Sequence, residues 1–364
     1  MKLVILYGGK SGEHEVSLVS AAGVVRTIAA EHRIYLVGID RNGIWRLQPD
    51  GVLATCREGD GPLELRTDCP EVVIAPGRGL RVYGAHGQTN LQVDVVFPVL
   101  HGSFGEDGTV QGLLECAELA YVGADVLGSA LGMDKAMAKD LWRGAGLPVL
   151  PHVVVGAADL AAKGAAAIGT EVESRLGWPA FVKPVRAGSS VGAHKAEDAA
   201  AFATAVADAL RFDTKVLVEP FVQARELECS VIGNDEPRAF EPGEVVPTHE
   251  FYDYDAKYVD PDGARLVIPA DVDPAVRARV RELAVAAYRT AGLSGMARVD
   301  FFMDRNDGTL YLNEVNTLPG FTPISMFPKM CEAGGLPYPA LIETLFALAR
   351  ERHETRKNLA YTRS

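Results

Sequence analysis

The sequence is short of cysteine, of long apolar runs and of surplus positive charge, and each shortage removes a class of protein. Its five cysteines, Cys56, Cys69, Cys116, Cys229 and Cys331, are an odd number with no C-x-x-C pair. Neither a disulfide framework nor a cysteine-based zinc cluster is therefore expected. Each reads as a small buried hydrophobe, and a reducing cytoplasm is the expected location. No window reaches the roughly 18 apolar residues of a membrane-spanning helix. The opening MKLVILYGG offers only a brief apolar run before its glycines, too short for a secretory signal. Acidic residues outnumber basic ones, 48 against 36, for a formal charge of −12. That balance is unsuited to nucleic acid, which needs a basic face against its phosphates. It leaves room for a local cationic pocket that holds a nucleotide.

What is present fits a folded protein. The chain has 364 residues, 48% hydrophobic and 23% charged, and its length suggests two or three domains. Apolar, β-prone runs at 2–7, 33–39 and 93–100 alternate with a helical pattern through Val16, Val19, Val24 and Ile28. The third run is nearly all apolar, as in a parallel strand covered on both faces, so 1–123 reads as an open parallel α/β layer, Rossmann-like in outline. Residues 124–220 follow as an α+β unit, with helices near 133–144, 160–176 and 199–210 and strands at 180–184 and 215–220. From 221 to 364, strands at 226–232, 297–303 and 309–314 alternate with helices near 274–291 and 338–352. Residues 248–258 between them form a polar, tyrosine-dense loop.

Three familiar fragments fail. Gly9-Lys10-Ser11 has Val4 where a P-loop needs its leading glycine, and no G-x-G-x-x-G follows the first strand. His14-Glu15 is followed by Leu18 where a metalloprotease has its second histidine. More informative are ARVDF at 297–301 and NEVN at 313–316. Strand side chains two apart share a face, so Arg298 points with Asp300 and Glu314 with Asn316. A hairpin across 305–308 would bring all four together. Asp, Glu and Asn oxygens suit Mg²⁺, and an adjacent Arg would neutralise a transferring group. The plainer reading is an exposed polar hairpin face.

Other segments carry weaker signals. RAGSSVG at 186–192 can turn backbone N–H groups and the hydroxyls of Ser189 and Ser190 onto phosphate, with Lys183 just upstream. Lys135 and Lys257 could add charge from other loops. The strand 216–221 could present Glu219 and Phe221 to an adenine, and Glu226 could bind ribose, although alone this is merely a strand with a turn. LHGSFGEDG at 100–108 follows an apolar strand, where ligand loops gather. Its His101, as a lone loop histidine, is more often structural.

In this order the motifs resemble the D-alanine–D-alanine ligases of the ATP-grasp superfamily. The likeness covers nearly the whole chain: GKSGEHEVSLVSA at 9–21, LHGSFGEDGTVQG at 100–112, MDK at 133–135, VKPVRAGSSVG at 182–192, EFYDYDAKY at 250–258, ARVDFF at 297–302 and NEVNTLPGFTPISM at 313–326. It implies a three-domain ATP-grasp fold and ATP-dependent joining of two D-alanines. The intermediate would be D-alanyl phosphate, the other products ADP and phosphate, and the dipeptide a peptidoglycan precursor. By motif, Glu15 would bind the first D-alanine's ammonium in a hydrogen-bonded triad with Ser189 and Tyr258, and His101 would lie near its carboxylate. Lys135, Lys183 and Lys257 would contact ATP phosphates, with Ser189 and Ser190 in the loop, Glu219 and Phe221 at the adenine and Glu226 at the ribose. Asp300, Glu314 and Asn316 would hold two Mg²⁺ (or Mn²⁺) ions. Arg298 and the Gly320 N–H would stabilise the oxyanion, and Ser325 and Met326 would receive the second substrate's carboxylate. Phe104 and Ala187 depart from common family residues without touching a named role. Tyr258 goes in the family with D-alanine as second substrate. D-lactate or D-serine as second substrate, or a non-catalytic nucleotide-binding regulator, are the alternatives. The family also implies a homodimer, with no nucleic acid and no membrane as partner.

Overall fold

The computed structural model describes residues 1–85, 87–247, 264–322 and 324–360. The N-terminal region is built on β1 (Lys2–Gly8), whose apolar side chains from Leu3 to Tyr7 are fully buried. Helix α1 (His14–Thr27) covers it with Ala21, Ala22, Val24 and Val25. β2 (Arg33–Ile39) pairs parallel with one edge of β1. The chain then runs through β3 (Trp45–Leu47), α2 (Asp50–Glu58), β4 (Glu71–Ile74), β5 (Leu80–Gly84) and β6 (Gly87–Leu91) before β7 (Val95–Val99) pairs parallel with the other edge of β1. The sheet order is β6-β5-β4-β3-β2-β1-β7. Only the β2-β1-β7 core is parallel, and the remaining pairings are antiparallel. The open parallel layer read from the sequence is thus the core of a longer mixed sheet. The outer strands lack a strong signal because they are short and partly solvated; all of β6 but its last residue is exposed.

Helices α3 (Thr109–Cys116), α4 (Val126–Met133) and α5 (Lys135–Gly144) lead to a second sheet. It comprises β8 (Val153–Gly156), β9 (Ala180–Pro184), β10 (His194–Ala196) and β11 (Lys215–Pro220) in the order β10-β9-β11-β8, antiparallel throughout. The alanine-rich stretch read as one helix is two, α6 (Ala157–Lys163) and α7 (Ala165–Leu176). Gly164 between them has φ +78°, a left-handed setting that breaks the helix at little cost only for glycine. α7 and α8 (Ala199–Ala209) cover the sheet with Ile168, Val172, Phe202 and Val206.

The third sheet uses β12 (Ala224–Ile232), β13 (Arg238–Ala239), β14 (Gly243–Pro247), β15 (Ala264–Val267), β16 (Met296–Asp304) and β17 (Leu310–Asn316). Its order is β15-β14-β12-β16-β17, with β13 beside β12. α9 (Pro274–Thr290) starts where the Asp273 carboxylate accepts the Ala275 N–H, with Pro274 in the first turn. α10 (Met326–Ala333) and α11 (Tyr338–Lys357) end the described chain.

Two helices bind these sheets into one body. Trp142 of α5, fully buried, packs with Leu227, Tyr288 and Val299 of the C-terminal region, and its indole donates to Ala287 O at 3.1 Å. From α11, Leu341, Ile342, Leu345 and Phe346 join the core around Val95 and Phe97 of the first sheet.

Candidate active site

The 296–316 hairpin carries the charges that the sequence brought together. Arg298 is the cross-strand partner of Asn316, and Asp300 of Glu314, so all four side chains lie on one face. The Arg298 fork grips Asp300 through Nε to Oδ1 and Nη2 to Oδ2, both at 2.7 Å, and Asn316 Nδ2 donates to Asp300 Oδ2 at 2.9 Å. Burial works against the charge on Arg298, but the carboxylates of Asp300 and Glu228 outweigh it and hold its pKa well above the ordinary value. Lys135, at the start of α5, reaches Glu314 Oε2 at 3.1 Å and donates to Ala187 O at 2.9 Å. One lysine thus ties the hairpin to the glycine-serine loop.

Behind that loop lies a second cluster. Glu219 is almost fully buried, with Oε1 2.7 Å from Lys139 Nζ and Oε2 2.9 Å from Lys183 Nζ. Burial raises its pKa, but the two ammonium groups prevail and bring it down to about 2. Lys183 also donates to Asn313 Oδ1 at 3.1 Å, and Lys139 to Leu312 O at 3.2 Å. Sequence reasoning aimed Glu219 at an adenine; the structure turns its carboxylate onto these lysines. Phe221, just past the same strand, lies under Lys195 Nζ, 4.5 Å from the ring centroid. Glu226 is half-buried on the hairpin's side of β12, opposite Phe302.

The glycine-serine loop holds Ser189 and Ser190 at φ +52° and +58°, a region that non-glycine residues seldom adopt. Ser189 Oγ donates to Glu13 Oε1 at 2.6 Å. This corrects the expectation for Glu15. Helix α1 starts at His14, and Glu13, just outside it, turns inward, whereas Glu15 on the first turn points outward to pair with Arg41 and leaves 60% of its side chain exposed. Glu13 is closely enclosed: a Cβ at Gly102 would stand 2.6 Å from its Oε2, and one at Gly188 3.1 Å away. His101 is buried between Ser20 Oγ and Leu318 O, both at 3.1 Å, and burial lowers its pKa, so the ring is neutral.

Gly320 follows Leu318 in the same connection. Beyond it Ser325 Oγ accepts the Thr322 N–H at 3.0 Å at the entrance to α10. The Met326 side chain packs with Val245 and Met330, so contact with a carboxylate would come from its backbone N–H in the first turn of α10. Lys257 and Tyr258 lie outside the described residues. A cavity of about 150 Å³ is lined by Lys10, Ser11, His101 and Phe104 among others. A larger one, about 350 Å³, is lined by Arg225, Arg265 and Arg305 and by none of the residues above.

Sequence reasoning missed Glu13, Lys139, Glu228 and Asn313. Glu228 left a signal, because Glu226 and Glu228 interrupt an apolar strand at alternate positions. Lys139 stands one helical turn after Lys135, a spacing that puts both on one face. Glu13 and Glu15 share a motif, and only the start of α1 separates them.

A mixed-sheet N-terminal layer, two further sheets joined by a lysine-bearing helix and a glycine-serine loop facing a charged hairpin define an ATP-grasp enzyme. The family profile described as "D-ala D-ala ligase N-terminus" matches residues 2–124, and "D-ala D-ala ligase C-terminus" matches 141–347. The chain is 47% identical to a D-alanine–D-alanine ligase of Treponema denticola over 99% of its own length and 98% of that protein's. It is 44% identical to the D-alanine–D-alanine ligase A of Salmonella typhimurium, over 100% and 99%. Among solved structures it resembles the D-alanine–D-alanine ligase of Coxiella burnetii at 36% identity and TM-score 0.83, covering 98% of this chain and 96% of that one. It also resembles a D-Ala:D-Ser ligase from Enterococcus faecalis at 36% identity and TM-score 0.84, covering 96% and 99%. The chain belongs to the D-alanine–D-alanine ligase family.

Proposed function

We propose that this protein joins two D-alanine molecules to D-alanyl-D-alanine at the expense of ATP, supplying a peptidoglycan precursor. The observation that carries this reading is the convergence of Arg298, Asp300, Glu314 and Asn316 beside Lys135 and the glycine-serine loop, in a chain alike to such ligases over its full length. A free carboxylate is a poor electrophile, and phosphorylation gives it a leaving group. In the first step a carboxylate oxygen of one D-alanine attacks the γ-phosphorus and ADP departs. In the second, the amine of the other D-alanine attacks the acyl carbon, and phosphate leaves from the tetrahedral adduct. The protein's share is positioning and charge stabilisation.

Lys135, Lys183 and Lys257 are assigned to the phosphates, with Ser189 and Ser190 in the loop, Phe221 at the adenine and Glu226 at the ribose. The buried Glu219 is assigned to orienting Lys183. Glu13, with Ser189 and Tyr258, is assigned to the first substrate's ammonium and His101 to the region of its carboxylate. Arg298 and the Gly320 N–H are assigned to the oxyanion, and Ser325 with the Met326 N–H to the second substrate's carboxylate. Among the described residues no group of three or more His, Cys, Asp or Glu side chains could hold a metal. Asp300 and Glu314 with the Asn316 amide nonetheless suit Mg²⁺, which takes one or two carboxylates and completes its shell with phosphate oxygens. In this structure Arg298 and Lys135 supply the positive charge at those carboxylates. Bound Mg²⁺ or Mn²⁺ would neutralise charge on the phosphoryl group in transfer.

The three sheets support domains at 1–123, 124–220 and 221–364, with α5 and α11 packed across the junctions. No helix among the described residues is long and apolar enough to cross a membrane. Five free cysteines agree with a cytoplasmic enzyme, and the family likeness supports a homodimer.

The direct test incubates the enzyme with ATP and D-alanine and follows ADP and dipeptide. D-alanyl-D-alanine should form from D-alanine alone and remain the main product when D-serine or D-lactate is added. Failure to form dipeptide from D-alanine alone would sink the reading. A second test bears on the ammonium site. Glu13→Gln should lose about 1.5–3 kcal/mol of substrate binding, the worth of a hydrogen bond to a charged group, seen as a raised KM for the first D-alanine. Glu15→Gln, which breaks only an exposed ion pair, should leave kinetics unchanged.

A further inference from the structure

The face that carries Arg298 and Asp300 holds one more carboxylate. Glu228 on β12 is the cross-strand partner of Asp300, as Glu314 is on the other side. Three carboxylates therefore stand in a row across adjacent strands, with neighbours about 5 Å apart. Such a row is costly unless cations divide it. Arg298 does so from the next row: its Nε lies 2.7 Å from Asp300 Oδ1 and 3.0 Å from Glu228 Oε2. The Nε nitrogen has a single hydrogen, donated to Asp300. Glu228 lies close enough to accept it in Asp300's place with little movement of the guanidinium.

A metal ion taken up by Asp300 would compete with Arg298 for the same lone pairs and repel its charge. An arginine anchored on Asp300 alone would be displaced when its position matters most. We propose that Glu228 is a positioning residue that keeps the Arg298 guanidinium in place when Asp300 turns to a metal ion. This rests on the assignment of Asp300 as a metal ligand. Glu228 is not itself assigned to the metal, because its Oε2 faces the guanidinium, 3.0 Å from Arg298 Nε. A carboxylate is needed there because it takes over a charged partner. A hydroxyl would fill the strand position but could not hold the guanidinium against a dication.

The test is a double-mutant cycle of Glu228→Gln and Arg298→Gln, read by Mn²⁺ binding to the ADP complex in electron paramagnetic resonance and by kcat for Glu228→Gln. Glu228→Gln should weaken Mn²⁺ binding and lower kcat by about 10–100-fold, the range for residues that orient metal ligands, with KM for D-alanine unchanged. In the Arg298→Gln background the same change should alter Mn²⁺ affinity little, because no guanidinium then competes for Asp300. Glu228→Asp, which keeps the charge, should recover part of both losses. Equal Mn²⁺ decrements in the two backgrounds would overturn the proposal in favour of a through-space field, and parent-like binding and kcat in Glu228→Gln would overturn it outright. Asp300→Asn serves as control: Mn²⁺ affinity unchanged by it would overturn the metal assignment, and this proposal with it.

Discussion

Replacing Arg298 with Lys should lower kcat by about 100- to 1,000-fold, the cost of removing one preorganised oxyanion donor, while ADP binding is retained. Lysine keeps the positive charge but not the fork, and the Arg298–Asp300 contact is a two-bond fork at 2.7 Å on each arm. The loss should fall on kcat and kcat/KM alike, because the interaction is made in the transition state rather than with the bound substrate. Arg298→Ala should abolish turnover. It also leaves Asp300 and Glu228 facing each other without their common cation, so its thermal stability must be measured beside its kinetics. Undiminished turnover in either variant would remove Arg298 from the mechanism.

The second large effect concerns stability. Lys139 is fully buried, and its ammonium, 2.7 Å from Glu219, touches no surface from which water could replace it. Lys139→Met should destabilise the protein by about 1.5–3 kcal/mol, the worth of a hydrogen bond to a charged group, because Glu219 keeps Lys183 as its second partner. A urea unfolding curve measures it. The double variant Lys139→Met, Glu219→Gln should lose further stability rather than recover it, since it leaves the buried Lys183 ammonium without its carboxylate. Acid sensitivity supplies an independent readout. Glu219 has a folded pKa of about 2 against an ordinary 4.5, so its stabilising contribution is complete above 4.5 and lost as pH falls towards 2. Without Lys139 that pKa rises, and the acid loss should begin at higher pH. A double variant as stable as Lys139→Met would show that the Glu219 charge contributes nothing to holding Lys183.

Much of the site was legible because its parts obey short-range rules. The hairpin's shared face follows from the period of two in strands, and residues 305–308 close it as the spacing requires. The glycine-serine loop follows a strand that carries Lys183, as a phosphate loop should. Less legible were contacts made between separate segments. Nothing near residue 219 in the sequence indicates that its carboxylate faces Lys139 and Lys183, because that geometry arises where α5 passes behind two sheets. The choice between Glu13 and Glu15 turned on where one helix begins, and local pattern leaves that boundary uncertain by a residue or two. Both glutamates fit the same acidic, polar turn, and only the closeness of Ser189, Gly102 and Gly188 distinguishes them.

The sequence by itself determined the parallel core of the first sheet, the charged hairpin, the residue types available for phosphate, metal and oxyanion chemistry, and a net charge of −12. These depend on composition and on periods of two and 3.6, which act within a few residues. Tertiary structure decided which acid meets Ser189, how far the first sheet extends, and that α5 and α11 pack into cores their own segments do not form. Those outcomes depend on burial and charge pairing between residues far apart in the chain, where the free energy comes from removing surface and solvent together. Lys135, Lys183 and Arg298 meet their carboxylates, Glu314, Glu219 and Asp300, only in the folded chain.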